Sequence, residues 1–270
     1  MSIERRNHGR HHSYYVDGRK LPGVTTITGA TTSKDNLINW AAEETGRQAL
    51  NNWGELCDMP PADRLQWLYK ARYRTSDTAK DRGTEVHKLA ARLVAGERVD
   101  LPDPIQPLVD NYVAFLDQME PAAVDLGNGQ QSIELVLANR AVGYCGTTDL
   151  IADMGGERWL LDLKTSGRDR PGVFPETALQ VCAYMNAEIW AGPDGSEHKL
   201  ADLGITRGGA VAVTPSGWDL FPLETGEEVF DYFRHLTAIY EAGDDLRGWV
   251  GAPAEPVHPY RTHTLEEVPW

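Results

Sequence analysis

The chain has 270 residues, a formal charge of −14 at pH 7 and an ordinary apolar content of 41%. That length suits one large α/β domain or a core with helical insertions, and no apolar run is long enough to span a membrane. Residues 1–6 lack an apolar signal-peptide core, and the cysteines (Cys57, Cys145 and Cys182) are odd in number and scattered, which argues against a disulfide framework and predicts a soluble, cytoplasmic protein.

Residues 1–12 carry Arg5, Arg6 and Arg10 with His8, His11 and His12, and read as a mobile polar arm rather than a metal site. Tyr14-Tyr15-Val16, Asp17-Gly18 and Val24 to Thr28 predict strand, turn and strand. Ser33 is placed to cap a helix through about Asn51, with Leu37, Ile38, Trp40 and Ala41 on or near one face. Pro60-Pro61 breaks the chain, Ala62 to Tyr73 predicts a second helix, and Ser76 to Ala95 a third. Between Arg64 and Arg92 lie Lys70, Arg72, Arg74, Lys80, Arg82 and Lys88, against Asp63, Asp77, Asp81 and Glu85. Non-specific affinity for nucleic acid comes from local Lys and Arg, and net charge does not describe a cleft, so this segment is the best phosphate-facing surface in an acidic chain. An ordinary solvated helical face is the other reading. Trp53, Trp67 and Tyr69 either stack on bases or pack in a core, and helical spacing favours the core. Gly83 and His87, at i and i+4, share one helical face.

A proline-rich linker from Leu101 leads to a helix ending near Met119. Ile133 to Ala138 predicts a strand containing Glu134, turned at Asn139-Arg140 into a strand from Val142 to Ala152. That register puts Glu134 on the face of Asp149 but opposite Cys145, too far to share an ion, unless a bulge at Gly143 or Gly146 intervenes. Gly155-Gly156 suits a two-residue hairpin loop, which pairs Met154 with Glu157 and sets Asp149 opposite Asp162, with Cβ atoms roughly 5 Å apart. Asp162 and Lys164 share a strand face, about 6–7 Å apart along the backbone, while Leu161 and Leu163 point into a core. Two opposed carboxylates repel unless a cation or a shared proton lies between them, and a hard divalent ion such as Mg²⁺ takes a few carboxylates while keeping water. The hairpin therefore predicts a metal site with a lysine at its edge. The bland alternative is a strand-edge pair of Asp162 and Lys164 with Asp149 solvated. Arg168 to Pro171 is a basic loop that either contacts phosphate or covers the next helix start. Pro175-Glu176 opens that helix, on which Gln180 and Tyr184 share a face beside Leu179, Ala183 and Ala187. Gly192 to Gly209 reads as a long polar loop, Ala210 to Thr214 and Trp218 to Leu223 as strands, and Thr225-x-x-Glu228 as a capping box opening a helix to about Ala242. The tail, with Trp249, Tyr260 and Trp270, carries no signal.

Asp149, then Asp162-Leu163-Lys164, then Gln180 and Tyr184, resemble the PD-(D/E)xK nuclease superfamily, and most of all its RecB-like exonuclease branch, which includes CRISPR-associated and phage-encoded members. Arg82-Gly83-Thr84-x-x-His87 is similar to the first motif of that branch, and Tyr14 to Gly18 followed by Pro22 to Ile27 is similar to the openings of RecB-like phage nucleases. The matching motifs span roughly residues 82–184. The resemblance implies an α/β, restriction-endonuclease-like core, with a mixed central sheet flanked by helices and helical N-terminal insertions. It implies one nuclease domain, mainly helical to about residue 125, with a catalytic core over 130–242 and a tail beyond. It implies Mg²⁺ or Mn²⁺ held by Asp149, Asp162, the Leu163 carbonyl and His87, with Glu134 behind the ligands or on the DNA side. Lys164 would orient the attacking water or stabilise developing charge, and Gln180 and Tyr184 would hold the strand or order that water. Arg72, Arg74, Arg82, Lys88 and Arg168 would meet phosphates.

The activity so implied is a metal-dependent DNA exonuclease acting on linear DNA with a free end, in phage or bacterial recombination, repair or processing. A helicase, annealing protein or recombinase is an expected partner. The chain has Asp162 where many relatives have Glu before x-Lys, and its three cysteines leave no four-cysteine iron–sulfur cluster of the kind some relatives carry. A non-catalytic DNA-end-binding or partner-binding module on the same fold is the alternative. The acidic charge favours that alternative, and the intact acids with Lys164 argue against it.

Overall fold

The computed structural model describes residues 2–9, 11–99, 103–127, 129–167, 169 and 172–254. The expectations placed on Arg10, Leu101, Pro102, Arg168, Arg170, Pro171, Tyr260 and Trp270 fall outside them. The chain opens with β1 (Ile3–His8), β2 (His11–Val16) and β3 (Arg19–Leu21), then α1 (Val24–Thr31), α2 (Asp35–Asn51), α3 (Trp53–Asp58), α4 (Pro61–Val94) and α5 (Gln106–Met119). Then come β4 (Ala122–Ala123), β5 (Asp125–Gly127), β6 (Gln130–Gln131), β7 (Ile133–Asn139), β8 (Tyr144–Met154), β9 (Glu157–Thr165) and α6 (Glu176–Met185). Last are β10 (Ile189–Ala191), β11 (Glu197–Lys199), β12 (Arg207–Thr214), β13 (Gly217–Leu223) and α7 (Glu227–Asp245).

The fold is α/β, with an eight-stranded mixed sheet flanked by helices. Its strand order is β11-β10-β7-β8-β9-β12-β13, with β4 on β8, and β9 with β12 is its parallel pair. Side-chain alternation divides the core. Leu150, Trp159, Leu161 and Leu163 pack towards α4 and α5, while Leu160 and Ile151 pack towards α1, α6 and α7. Burying a side chain such as Leu160 completely is worth about 1.5–3 kcal/mol relative to leaving it in water.

Several expectations are corrected. The N-terminal arm is a hairpin: Ile3 pairs with Val16, and Ile3, Tyr14, Val16 and Leu21 pack on Ala138 and Cys145. Ile3 is the buried residue of β1, so its sequence shows no apolar period. Val24 to Thr28 is helix, not strand. Val24 and Ile27, one turn apart, are fully buried, and Thr28, Thr31 and Thr32 donate their hydroxyls to carbonyls four residues back. The two helices expected on either side of residue 74 are one continuous α4. There Gln48 of α2 donates to the Ala71 carbonyl, and Thr75 donates to Glu44, so a neighbouring helix holds the stretch between the two expected ranges. On α2, Leu37 and Ile38 are exposed. The segment 192–209 holds β11, a 3-10 turn over Leu200–Leu203 and the start of β12. No side-chain bond caps α7, so Thr225 and Glu228 form no capping box.

Candidate metal centre

The β8–β9 hairpin turns at Gly155-Gly156, both at positive φ, with Met154 opposite Glu157 as the sequence dictates. Its ladder ends at Leu150 with Leu161, one residue short of Asp149 and Asp162. Beyond that point the Leu163 amide donates to Asp149 Oδ2 at 2.7 Å. A backbone donor has replaced a ladder bond and fixes one carboxylate oxygen. The other, Oδ1, is 3.2 Å from His87 Nδ1 on α4.

Glu134 stands opposite Asp149, not Cys145. The β7–β8 turn takes in Arg140 to Gly143, with Val142 and Gly143 donating back to Asn139, and the longer turn shifts the register. Ile133 pairs with Leu150 and Leu135 with Thr148, and the rung between them is skipped. Glu134 has φ 53°, the left-handed region, at a cost of about 1–2 kcal/mol for a residue with a Cβ. Ile133 packs towards α4 and α5 and Leu135 towards α6, although residues two apart in a regular strand share a face. The strand therefore turns over at Glu134 and brings this carboxylate to the centre. Donor atoms of His87, Glu134 and Asp149 lie within 4.8 Å of one another. One imidazole and two carboxylates, reachable from a cleft, fit a Mn²⁺ or Mg²⁺ ion that keeps water in its remaining positions.

Asp162 is not a member of that group. It is buried, its Oδ1 accepts Gln180 Nε2 at 2.7 Å, and its Oδ2 lies 2.8 Å from Lys164 Nζ. Gln180 closes the network, accepting from Lys164 at 3.0 Å and donating to the Tyr184 hydroxyl at 3.2 Å. Two small residues make these contacts feasible. A Cβ on Gly83 would stand 3.3 Å from Thr165 Oγ1, so α4 crosses the end of β9 at contact distance. A Cβ on Gly146 would fall 2.2 Å from the Tyr184 ring.

The electrostatics follow from this crowding. Burial opposes a charge on His87, but the Asp149 carboxylate and its hydrogen bond outweigh burial and push the imidazole up to about 9. Burial alone would raise Asp149, yet His87 and the Leu163 amide hold it below the ordinary carboxylate value. Burial and the Asp149 charge raise both Glu134 and Asp162, the latter against the pull of Lys164. Burial, with the Asp162 charge, holds Tyr184 well above a free phenol.

The raised His87 value gives a signed prediction. The stability it contributes is fully present below the unfolded imidazole value of about 6.5 and is lost as pH rises through about 9. In chelator, the melting temperature of the wild-type protein should fall more between pH 7 and pH 10 than that of His87→Gln. Equal falls would show that His87 is not held protonated.

The cleft has a volume of about 890 Å³. It gathers His87, Lys88, Asp149, Asp162, Leu163, Lys164, Gln180, Tyr184 and Glu134, all expected from the sequence. Arg72 and Arg74 lie elsewhere on α4, against Tyr73 and against Trp67 and Gln48, and do not line it. Arg82 covers Gly167 instead, and Arg168 is outside the described residues. Arg5 and Tyr14 were not foreseen. Arg5 Nη1 is 3.7 Å from Glu134 Oε2 and 3.4 Å from Thr147 Oγ1, and the Tyr14 hydroxyl is 2.9 Å from the same Thr147 oxygen. Apolar alternation at Tyr14 and Val16 marked a strand, but only the folding of that strand onto β7 and β8 reveals the wall it forms.

Glu134 joins strain to chemistry, so Glu134→Gly should separate them. Removing the Cβ at positive φ, together with a carboxylate that repels Asp149, should stabilise the protein in chelator by about 1 kcal/mol, or roughly 2–4 °C. The same change should weaken Mn²⁺ binding measured by calorimetry. Lower thermal stability with unchanged Mn²⁺ affinity would remove Glu134 from the centre.

No family model matches the chain, and no curated protein matches it. A solved structure described as the crystal structure of SSO0001 is similar at 14% identity over 54% of this chain, with a TM-score of 0.27. The chain spans 61% of the length of that protein. Among the described residues, no helix is long and apolar enough to cross a membrane.

Proposed function

We propose that this chain is a metal-dependent DNA nuclease of the PD-(D/E)xK type, with a restriction-endonuclease-like core and an exonuclease action akin to the RecB-like branch. The observation that carries the reading is the pairing, in one cleft, of the His87, Glu134 and Asp149 donor group with the Asp162–Lys164–Gln180 network. His87, Glu134 and Asp149 would hold Mg²⁺ or Mn²⁺, which when bound makes a water more acidic and neutralises charge on a phosphate.

The remaining work falls to this chain's own groups. The Leu163 amide locks Asp149 so that its second oxygen faces His87. Asp162 and Gln180 hold the Lys164 ammonium at the cleft wall, where it stabilises negative charge as water attacks phosphorus and the ester oxygen departs. Tyr184 stays a phenol and orients Gln180 by a hydrogen bond, without acting as a base. Lys88 and Arg5, on the cleft rim, meet phosphates on either side.

The test is digestion of end-labelled linear DNA beside a closed circle, with Mg²⁺, with Mn²⁺ and with chelator. Metal-dependent loss of the linear form alone is the expected result. Cutting of the circle would make the enzyme an endonuclease on the same groups. DNA binding without any cutting would favour a non-catalytic end-binding module, or a nuclease that requires a helicase, annealing protein or recombinase.

A further inference from the structure

We propose that the outer stripe of α4 is a stacking track for an unpaired DNA strand leading to the cleft; the proposal rests on the nuclease reading and names its substrate as single-stranded. Residues three, four or seven apart on a helix share a face. By that spacing Tyr69, Tyr73, Ser76, Lys80, Thr84 and His87 form one stripe along α4. Its inner end lines the metal centre, through Thr84 and His87. Its outer end is uncovered: Tyr69 is 63% and Tyr73 is 41% exposed. Helix α2 packs elsewhere on α4, bonding to Ala71 and Thr75, which lie round the helix from the tyrosines.

The chemistry of the stripe suits bases and phosphates together. The two tyrosine rings are 5.9 Å apart, and the Arg72 guanidinium lies 4.6 Å from the Tyr73 ring centre and 5.6 Å from that of Tyr69. Arg72 also donates to the Tyr73 hydroxyl at 2.7 Å, which holds a cation between the two rings. Asp77, four residues from Tyr73 and three from Lys80, stands at the edge of the stripe, while Asp81 and Glu85 lie further round the helix. Aromatic faces stack on unpaired bases of any sequence, and cations beside them neutralise the phosphates between. Bases in a duplex are already stacked on one another, so rings presented this way select a single strand. Tyr73 is about 21 Å from His87 along the axis, at a rise of about 1.5 Å per residue, a span that Lys80 interrupts with a further cation.

The experiment is anisotropy of labelled oligo-dT, and of a blunt hairpin duplex, on the full chain in chelator, where cleavage plays no part. Tyr69→Ala/Tyr73→Ala should keep the wild-type melting temperature, because both rings are exposed, and should weaken oligo-dT binding by roughly tenfold per ring. Its salt dependence should be that of wild type. Arg72→Gln and Lys80→Gln should each flatten the slope of log affinity against log salt by about 0.7. Unchanged affinity in the tyrosine double variant would overturn the track, as would wild-type preference for the duplex. So would a double variant that loses self-association in sedimentation while binding DNA normally, which would give this face to a second copy of the chain. Cleavage is assayed separately with Mn²⁺. Tyrosine-dependent binding without cleavage keeps the track and removes the nuclease, and cleavage with tyrosine-independent binding does the reverse.

Discussion

Replacing Asp162 by asparagine should lower DNA cleavage by on the order of 10³-fold while a divalent ion still binds. The side chain keeps its shape, and the carboxamide oxygen still accepts from Gln180 in place of Oδ1. The charge that holds Lys164 at 2.8 Å is lost, and the ammonium is free to leave the cleft wall for solvent. Some stability should be lost as well, because the carboxamide nitrogen that replaces Oδ2 is a donor facing the Lys164 ammonium, so a melting curve is taken beside the cleavage assay to show that the variant is folded. Asp149→Asn should behave differently. It removes the charge that His87 and the Leu163 amide converge on, so calorimetry with Mn²⁺ should show binding lost together with cleavage. The two carboxylates should thus be separable: Asp149 is placed to hold an ion, whereas Asp162 holds the lysine. Wild-type cleavage by Asp162→Asn would sink the assignment, whereas loss of Mn²⁺ binding in Asp162→Asn would place it among the ligands.

The largest effect on stability is expected at Gly146. In Gly146→Ala the new methyl would sit 2.2 Å from Tyr184 Cε1 and 3.0 Å from Cδ1. That ring is buried between the sheet and α6, and the one open side it borders is the cleft, so relieving the clash would push it out of its place against Gln180. Overpacking of this kind costs about 1–3 kcal/mol and sometimes more, or several degrees of melting temperature in a chain of this size. Displacing the ring also breaks the hydrogen bond between Gln180 and the Tyr184 hydroxyl, so cleavage should fall with stability. Tyr184→Leu removes the clashing edge, and the double variant should be less destabilised than the sum of the single changes. A Gly146→Ala protein that melts with the wild type would mean that the ring and β8 are not in contact.

How much was legible follows from the range of each signal. The Gly155-Gly156 loop, the alternation Leu161, Asp162, Leu163 and the helical spacing of Gln180 with Tyr184 are local rules, and the structure keeps all three. Glu134 was misplaced because its register depends on the length of one turn, and a turn over Arg140 to Gly143 instead of Asn139-Arg140 moves its partner from Cys145 to Asp149. Its positive φ is carried by no residue-type preference, since Glu is not a residue that turns normally recruit. Val24 to Thr28 was misread because β-branched residues favour strands in isolation, and only the buried contacts of Val24 and Ile27 make the helix worthwhile.

The sequence by itself determined the hairpin that carries Asp149, Asp162 and Lys164, the helix that carries Gln180, and the helical face that carries His87, because each depends on periodicity and turn chemistry within a few residues. Only the tertiary structure decided which of these groups meet. The crossing of α4 over the end of β9 at Gly83 brings His87 to Asp149, and the inversion of β7 at Glu134 adds a second carboxylate there. The fold of β1 and β2 onto the sheet supplies Arg5 and Tyr14. These contacts join residues far apart in the chain, where no local spacing rule operates, and they form as the apolar faces on both sides of the sheet are buried against α4 and α5 and against α1, α6 and α7.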